Sequence, residues 1–208
     1  MRTISPASFQ AYKALYPNDK KLQALTLEEL YQQTGQGTVS WGSINYEGMD
    51  DNHTEPAILK DISPCALGIG YVVFDCVCLF LGAIALRSSV TAKAAAQMSE
   101  AAEPAINQIS KYIKTISAAE SSKMDIASAV FGVISTIYSA GCLGAVIGAF
   151  LGTLEWYQAV LYGATALGTI MAAVATDGAA EIGIIVVELA TAGFLVDDSI
   201  KCAEACSY

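Results

Sequence analysis

The chain carries one histidine, His53, and only 15% of its 208 residues are charged. A lone imidazole in a polar loop leaves serine and cysteine nucleophiles without the base that would activate them. GxSxG, a phosphate-binding GxxxxGK[ST] loop, HExxH and a Glu-x-x-His pair are all missing. The hydrolase, nucleotide-binding, zincin and di-iron readings therefore lack their signatures. Asp50, Asp51, Asn52 and His53 have the donor types of a metal site, but no second group of ligands accompanies them and a solvated turn is the simpler reading. The sequence thus predicts neither an enzyme nor a bound cofactor or metal.

Positive charge is scarcest towards the C-terminus. From Asp125 to Tyr208 there is one basic residue against eight acidic ones, so this part carries −7 of the net −9. Such a balance argues against nucleic-acid phosphates as a partner and against a polybasic membrane anchor. Met1 to Tyr16 is polar and amphipathic, without the charged start and apolar run of a signal peptide, so export is expected to follow a signal-peptide-independent route. Six cysteines sit mostly in apolar stretches. Cys202 and Cys206 share a helical face and have the types to bind a metal or oxidise, yet no second ligand pair matches them, and reduced thiols are the expectation.

What the chain does have is long uncharged runs. From Ile126 to Thr176 the single charged side chain is Glu155, and each arm exceeds the roughly 18 to 20 apolar residues a helix needs to cross a bilayer. The reading is a helical hairpin with a carboxylate at its tip and Trp156 and Tyr157 beside it as interfacial rings. Ala140, Gly144, Gly148 and Gly152 recur every fourth residue, and Ala164 and Gly168 repeat the spacing once. On a continuous helix this makes a small-residue face for close packing of backbones. Asp177 and Glu181 follow the second arm; with Glu155 they are expected to ease insertion when acid neutralises them. Cys65 to Leu86 is a third apolar segment with Asp75 near its middle. An intramembrane charge of that kind is expected to face a pore, a partner or water, and in a water-soluble fold a polar groove.

The remaining segments read as cover. Ser5–Pro6 starts a short helix to Leu15, and Thr26 with Glu29 forms a capping box for a second. Gly35 to Pro56 is loop or at most one short strand, which places a boundary between an N-terminal cap, residues 1–60, and a helical body, residues 61–208, containing the hairpin 126–176. Ser88 to Ser122 carries isoleucines at spacings of three and four, an amphipathic stripe divided at Pro104, and Ser122 with Asp125 caps the next helix. Ala179 to Val196 is a fourth apolar segment, amphipathic through Glu181 and Glu188. The fold class is all-α, a bundle around a Gly/Ala-rich hairpin.

This arrangement resembles colicin-type pore-forming domains, and the stripe Ala140, Gly144, Gly148, Gly152 is similar to that of glycine-zipper pore-forming effectors delivered between bacteria. The likeness covers mainly Ile126 to Thr176. It implies a secreted toxin that inserts its hairpin into a target membrane as an ion channel or pore. The implied partners are the lipid bilayer, further copies of the chain, and an immunity protein or secretion chaperone. Colicin-type domains surround their hairpin with more charge than Cys65 to Leu86 provides. That departure keeps two alternatives open: a resident inner-membrane protein of three or four spans, and a soluble helical binding module.

Overall fold

The computed structural model describes residues 2–35, 38–39, 41, 62–152, 154–190 and 192–207. Tyr46 and the Asp50–His53 turn lie outside them. The fold is all-α, with one minimal antiparallel pairing in which Arg2 faces Val39 and Thr3 faces Thr38.

Local rules set the helix starts. α1, Pro6–Leu15, begins where Ser5 exchanges hydrogen bonds with Ser8 and Pro6 fills the first turn. α2, Lys20–Ala24, is capped by Asp19. The Thr26–Glu29 capping box opens α3, Leu27–Thr34, which stops at Gly35 in the left-handed region, φ +63°. Cross-links knit this cap: Lys13 Nζ donates to the Leu25 carbonyl at 3.0 Å and Tyr31 Oη to that of Ile4 at 3.2 Å.

α4, Pro64–Leu81, starts on Ser63 and ends at Gly82. A 3-10 segment, Ile84–Ser89, leads to α5, Ala92–Ala101. The expected division at Pro104 is a 3-10 turn, and α6, Ile106–Ser117, buries Ile109, Ile113 and Ile116 completely. Each of those side chains contributes about 1.5–3 kcal/mol of transfer free energy. The Ser122–Asp125 capping box opens α7, Lys123–Ser139. Then follow α8, Leu143–Leu151; α9, Trp156–Ala175; α10, Ala179–Glu188; and α11, Gly193–Ala205.

α4 runs through the interior of the bundle beside the hairpin. Every residue from Val72 to Leu81 is buried, with α5, α7 and α11 packed around it. α9 lies to one side, covered by α1, α3, α7 and α8.

Two sequence expectations are corrected here. The first arm of the hairpin is not one rod: α7 and α8 meet at 113°. Ala140 ends α7, Gly141 is left-handed at φ +72°, and Cys142 Sγ bonds back to the Ile137 carbonyl at 3.4 Å, closing the turn. Ala140 therefore does not share a helical face with Gly144, Gly148 and Gly152. The thiols are not all reduced either: Cys65 at the start of α4 and Cys206 just past α11 form a disulfide across 141 residues. Spacing along the sequence carries no trace of that pairing, because only the antiparallel packing of α4 and α11 brings the two ends together.

Candidate functional site

Of the small residues singled out in the hairpin, Gly144 and Gly168 lie under the cap, and Gly163 joins them. Gly163 of α9 faces the Tyr12 ring, and Gly168 faces Ser8, so α1 rests on the α9 backbone where larger side chains would hold it off. Gly144 faces Leu15, and Tyr16 Oη donates to the Gly144 carbonyl at 2.6 Å. One helix of the cap thus bridges α8 and α9. Burial raises the phenol pKa of both Tyr12 and Tyr16 above the ordinary value. Ala164 is fully buried within the core. Gly148 and Gly152 instead line an open groove with Ala145 and Ala149, opposite Gln97, Glu100 and Glu103. The stripe is therefore divided between a covered face and an open one.

The hairpin tip is Glu155, exposed at the position before α9. Trp156 and Tyr157 meet edge to face at 4.8 Å, and the Lys21 ammonium of α2 sits 3.7 Å from the Trp156 ring centre and 5.0 Å from that of Tyr157. At the other end Asp177 is exposed in the left-handed region, φ +52°, and Gly178 tucks under Phe131. Glu181 is half-buried and lines a cleft with Ser5, Ser8, Thr165, Thr169 and Ala172. The three acids proposed to respond together are thus spread over both ends of α9.

Asp75 occupies a different setting. It is fully buried and faces Arg87, whose Nε lies 2.5 Å from Asp75 Oδ1. The other end of the guanidinium pairs with Asp198 of α11, and Lys201 Nζ stands 3.4 Å from Asp198 Oδ1. Tyr71 and Phe194 each place a ring 5.6 Å from the Arg87 guanidinium carbon. An acidic side chain inside an apolar helix is accommodated here because a planar, delocalised cation faces it, itself flanked by the Tyr71 and Phe194 rings. Of the environments open to Asp75, the structure provides a polar seam against a neighbouring helix.

That seam and the disulfide join the same two helices. Gly68 touches Cys202, which lets α4 and α11 approach closely between them. Arg87, Asp198, Tyr12 and Tyr16 are partners that the sequence reading did not assign; opposite charge made Arg87 available to Asp75, but nothing local linked Asp198 to either. Among the described residues no group of three or more His, Cys, Asp or Glu side chains converges as metal ligands would. No known protein family, curated protein or solved structure matches this chain.

Proposed function

We propose that this chain is a membrane-inserting pore former, a toxin or effector that depolarises a target membrane. The observation that carries the reading is the pair α4 and α9. Both are long and apolar enough to span, with mean hydropathies of 2.0 and 1.5, yet both are largely enclosed by other helices. An enclosed span is what a protein needs if it is to travel through water before entering lipid. The amphipathic α6 covers α7, the cap helices α1 and α3 cover α9, and rotating the cap outward exposes α9 with Trp156 and Tyr157 ready for the interface.

In this account the cap, residues 1–60, is the removable part and residues 61–208 are the inserting body. The chain is released by a signal-peptide-independent route and ends in a target membrane, with copies assembling through Gly148, Gly152 and the neighbouring alanines. Purified protein should leak vesicles loaded with a fluorophore, more strongly at about pH 4 than at about pH 7.5, and Gly148→Leu should weaken leakage. Intact vesicles across that range, both with and without dithiothreitol, would end the proposal.

A second reading draws on the two bent helix pairs, α7 with α8 and α10 with α11, which raise the span count to as many as four if each is one broken span. A resident inner-membrane channel, immunity protein or scaffold would fit, with the Arg87–Lys123 connection on the cytoplasmic side. Fractionation separates the two, because a resident protein needs detergent for recovery and a pore former does not. A soluble binding module would be recovered in buffer and leave vesicles intact.

A further inference from the structure

We propose that the Cys65–Cys206 cystine is a thiol-reducible latch that holds α4 against α11, so that membrane insertion proceeds only after a thiol reductant has opened it. The inference rests on the insertion reading for its consequence but not for its chemistry.

The latch stands on where its parts lie. α4 has the higher hydropathy of the two long apolar helices, and it runs through the interior, so no insertion can engage it while it stays in place. Two fastenings bind it to α11. One is the polar seam in which Arg87 connects Asp75 of α4 to Asp198 of α11; the other is the covalent bond from the first turn of α4 to the residue after α11. The seam is reversible on its own, whereas the cystine closes a long loop and forbids separation at that end. Cys65 and Cys206 are half-buried, and their chain neighbours Pro64 and Ala205 line a cleft of about 500 Å³ together with Leu67, Gly68 and Lys201. Entry along this cleft is the proposed route of a small reductant to the sulfurs. Cys202 is fully buried with its Sγ 3.9 Å from that of Cys206, a third thiol behind the bond and away from solvent.

The step balances with a dithiol reductant. One of its thiolates attacks a cystine sulfur, forming a mixed disulfide and expelling the other cysteine as a thiolate, which takes a proton. The second reductant thiol then displaces the remaining cysteine and closes the reductant's own disulfide. The protein gains two electrons and two protons, and the dithiol is oxidised. Disulfides persist outside cells and are reduced in the cytosol, so the latch would stay shut in transit and open on meeting a reducing compartment.

The test uses the full chain, purified without reductant. Non-reducing peptide mapping should recover the Cys65–Cys206 cross-link. Hydrogen exchange without lipid should then show the amides of Pro64–Leu81 exchanging at least about tenfold faster after dithiothreitol, and leakage of calcein from phosphatidylglycerol–phosphatidylethanolamine vesicles should rise by at least about the same factor. Cys65→Ser should leak without reductant, and Cys202→Ala should keep the wild-type dependence. Missing cross-link, unchanged α4 exchange on reduction, or equal leakage from oxidised, reduced and Cys65→Ser protein would each overturn the latch; the last would leave the insertion reading intact. Faster α4 exchange with no leakage in any redox state would instead uphold the latch as a fastening of α4 to α11 and sink the insertion reading.

Discussion

The ammonium of Lys21 lies 3.7 Å from the ring centre of Trp156, so the cap reaches the hairpin tip through a cation–π contact. At a surface site this contact is worth about 0.5–1 kcal/mol. Lys21→Ala should lower the melting temperature by about 2–4 °C and make Trp156 easier to quench, read by acrylamide in a Trp41→Phe background. Unchanged quenching would show that Lys21 does not cover the tip.

Glycine at position 163 is required by Tyr12. A Cβ there would fall closer than 3.0 Å to the buried Tyr12 ring, whereas one on Gly183 meets nothing within 4 Å. Gly163→Ala should cost about 1–3 kcal/mol through overpacking, while Gly183→Ala should be neutral or gain up to about 1 kcal/mol from helix propensity. Thermal unfolding of the two variants side by side checks the contrast. Equal stabilities would mean α1 is not seated on α9 as described.

Removing half of the polar seam should hurt more than removing both halves. Arg87→Met leaves Asp75 buried and uncompensated, a loss of about 3–5 kcal/mol. Asp75→Leu combined with Arg87→Met should recover much of it. Chemical denaturation of both singles and the double gives the coupling energy, and strict additivity would count against the pairing.

The cap should loosen at both ends of the pH scale. The Thr26 backbone N–H and then its hydroxyl hold the Glu29 carboxyl below its usual value. Its contribution is therefore present above the ordinary glutamate value of about 4.3 and lost as pH falls through the depressed folded value. For Tyr12 and Tyr16 the folded phenol values are raised, chiefly by burial. Their contribution is full below about pH 10 and lost as pH climbs through the folded values. Melting temperature against pH should fall on both flanks, with Glu29→Gln flattening the acid limb and Tyr12→Phe the alkaline one. A Glu29→Gln profile that overlays the wild type would refute the acid half.

The features legible in the sequence were local ones. The Ser5, Thr26 and Ser122 caps, the Pro104 division and the isoleucine face of α6 each depend on residues within a turn or two, and the structure has them where the spacing puts them. The bend between α7 and α8 was missed because apolar periodicity continues through Gly141, and one glycine does not announce a left-handed turn. By sequence the tail Asp197 to Tyr208 reads as a short final helix or fray, whereas α11 runs Gly193–Ala205, because its stability comes from packing on α4 and α6 rather than from its own composition. The disulfide and the Arg87–Asp198 link of the seam are illegible because they join segments more than a hundred residues apart.

The central claim is that α9 exchanges its protein covering for lipid. The most direct measurement is hydrogen exchange of the Trp156–Ala175 amides in the reduced, full-length protein mixed with phosphatidylglycerol vesicles, recorded with the membrane potential at about pH 5. The account predicts that the potential collapses while the α9 amides stay protected and the α1 amides become exposed. A potential that holds, with α1 still protected on α9 and the protein left in the supernatant, would contradict it.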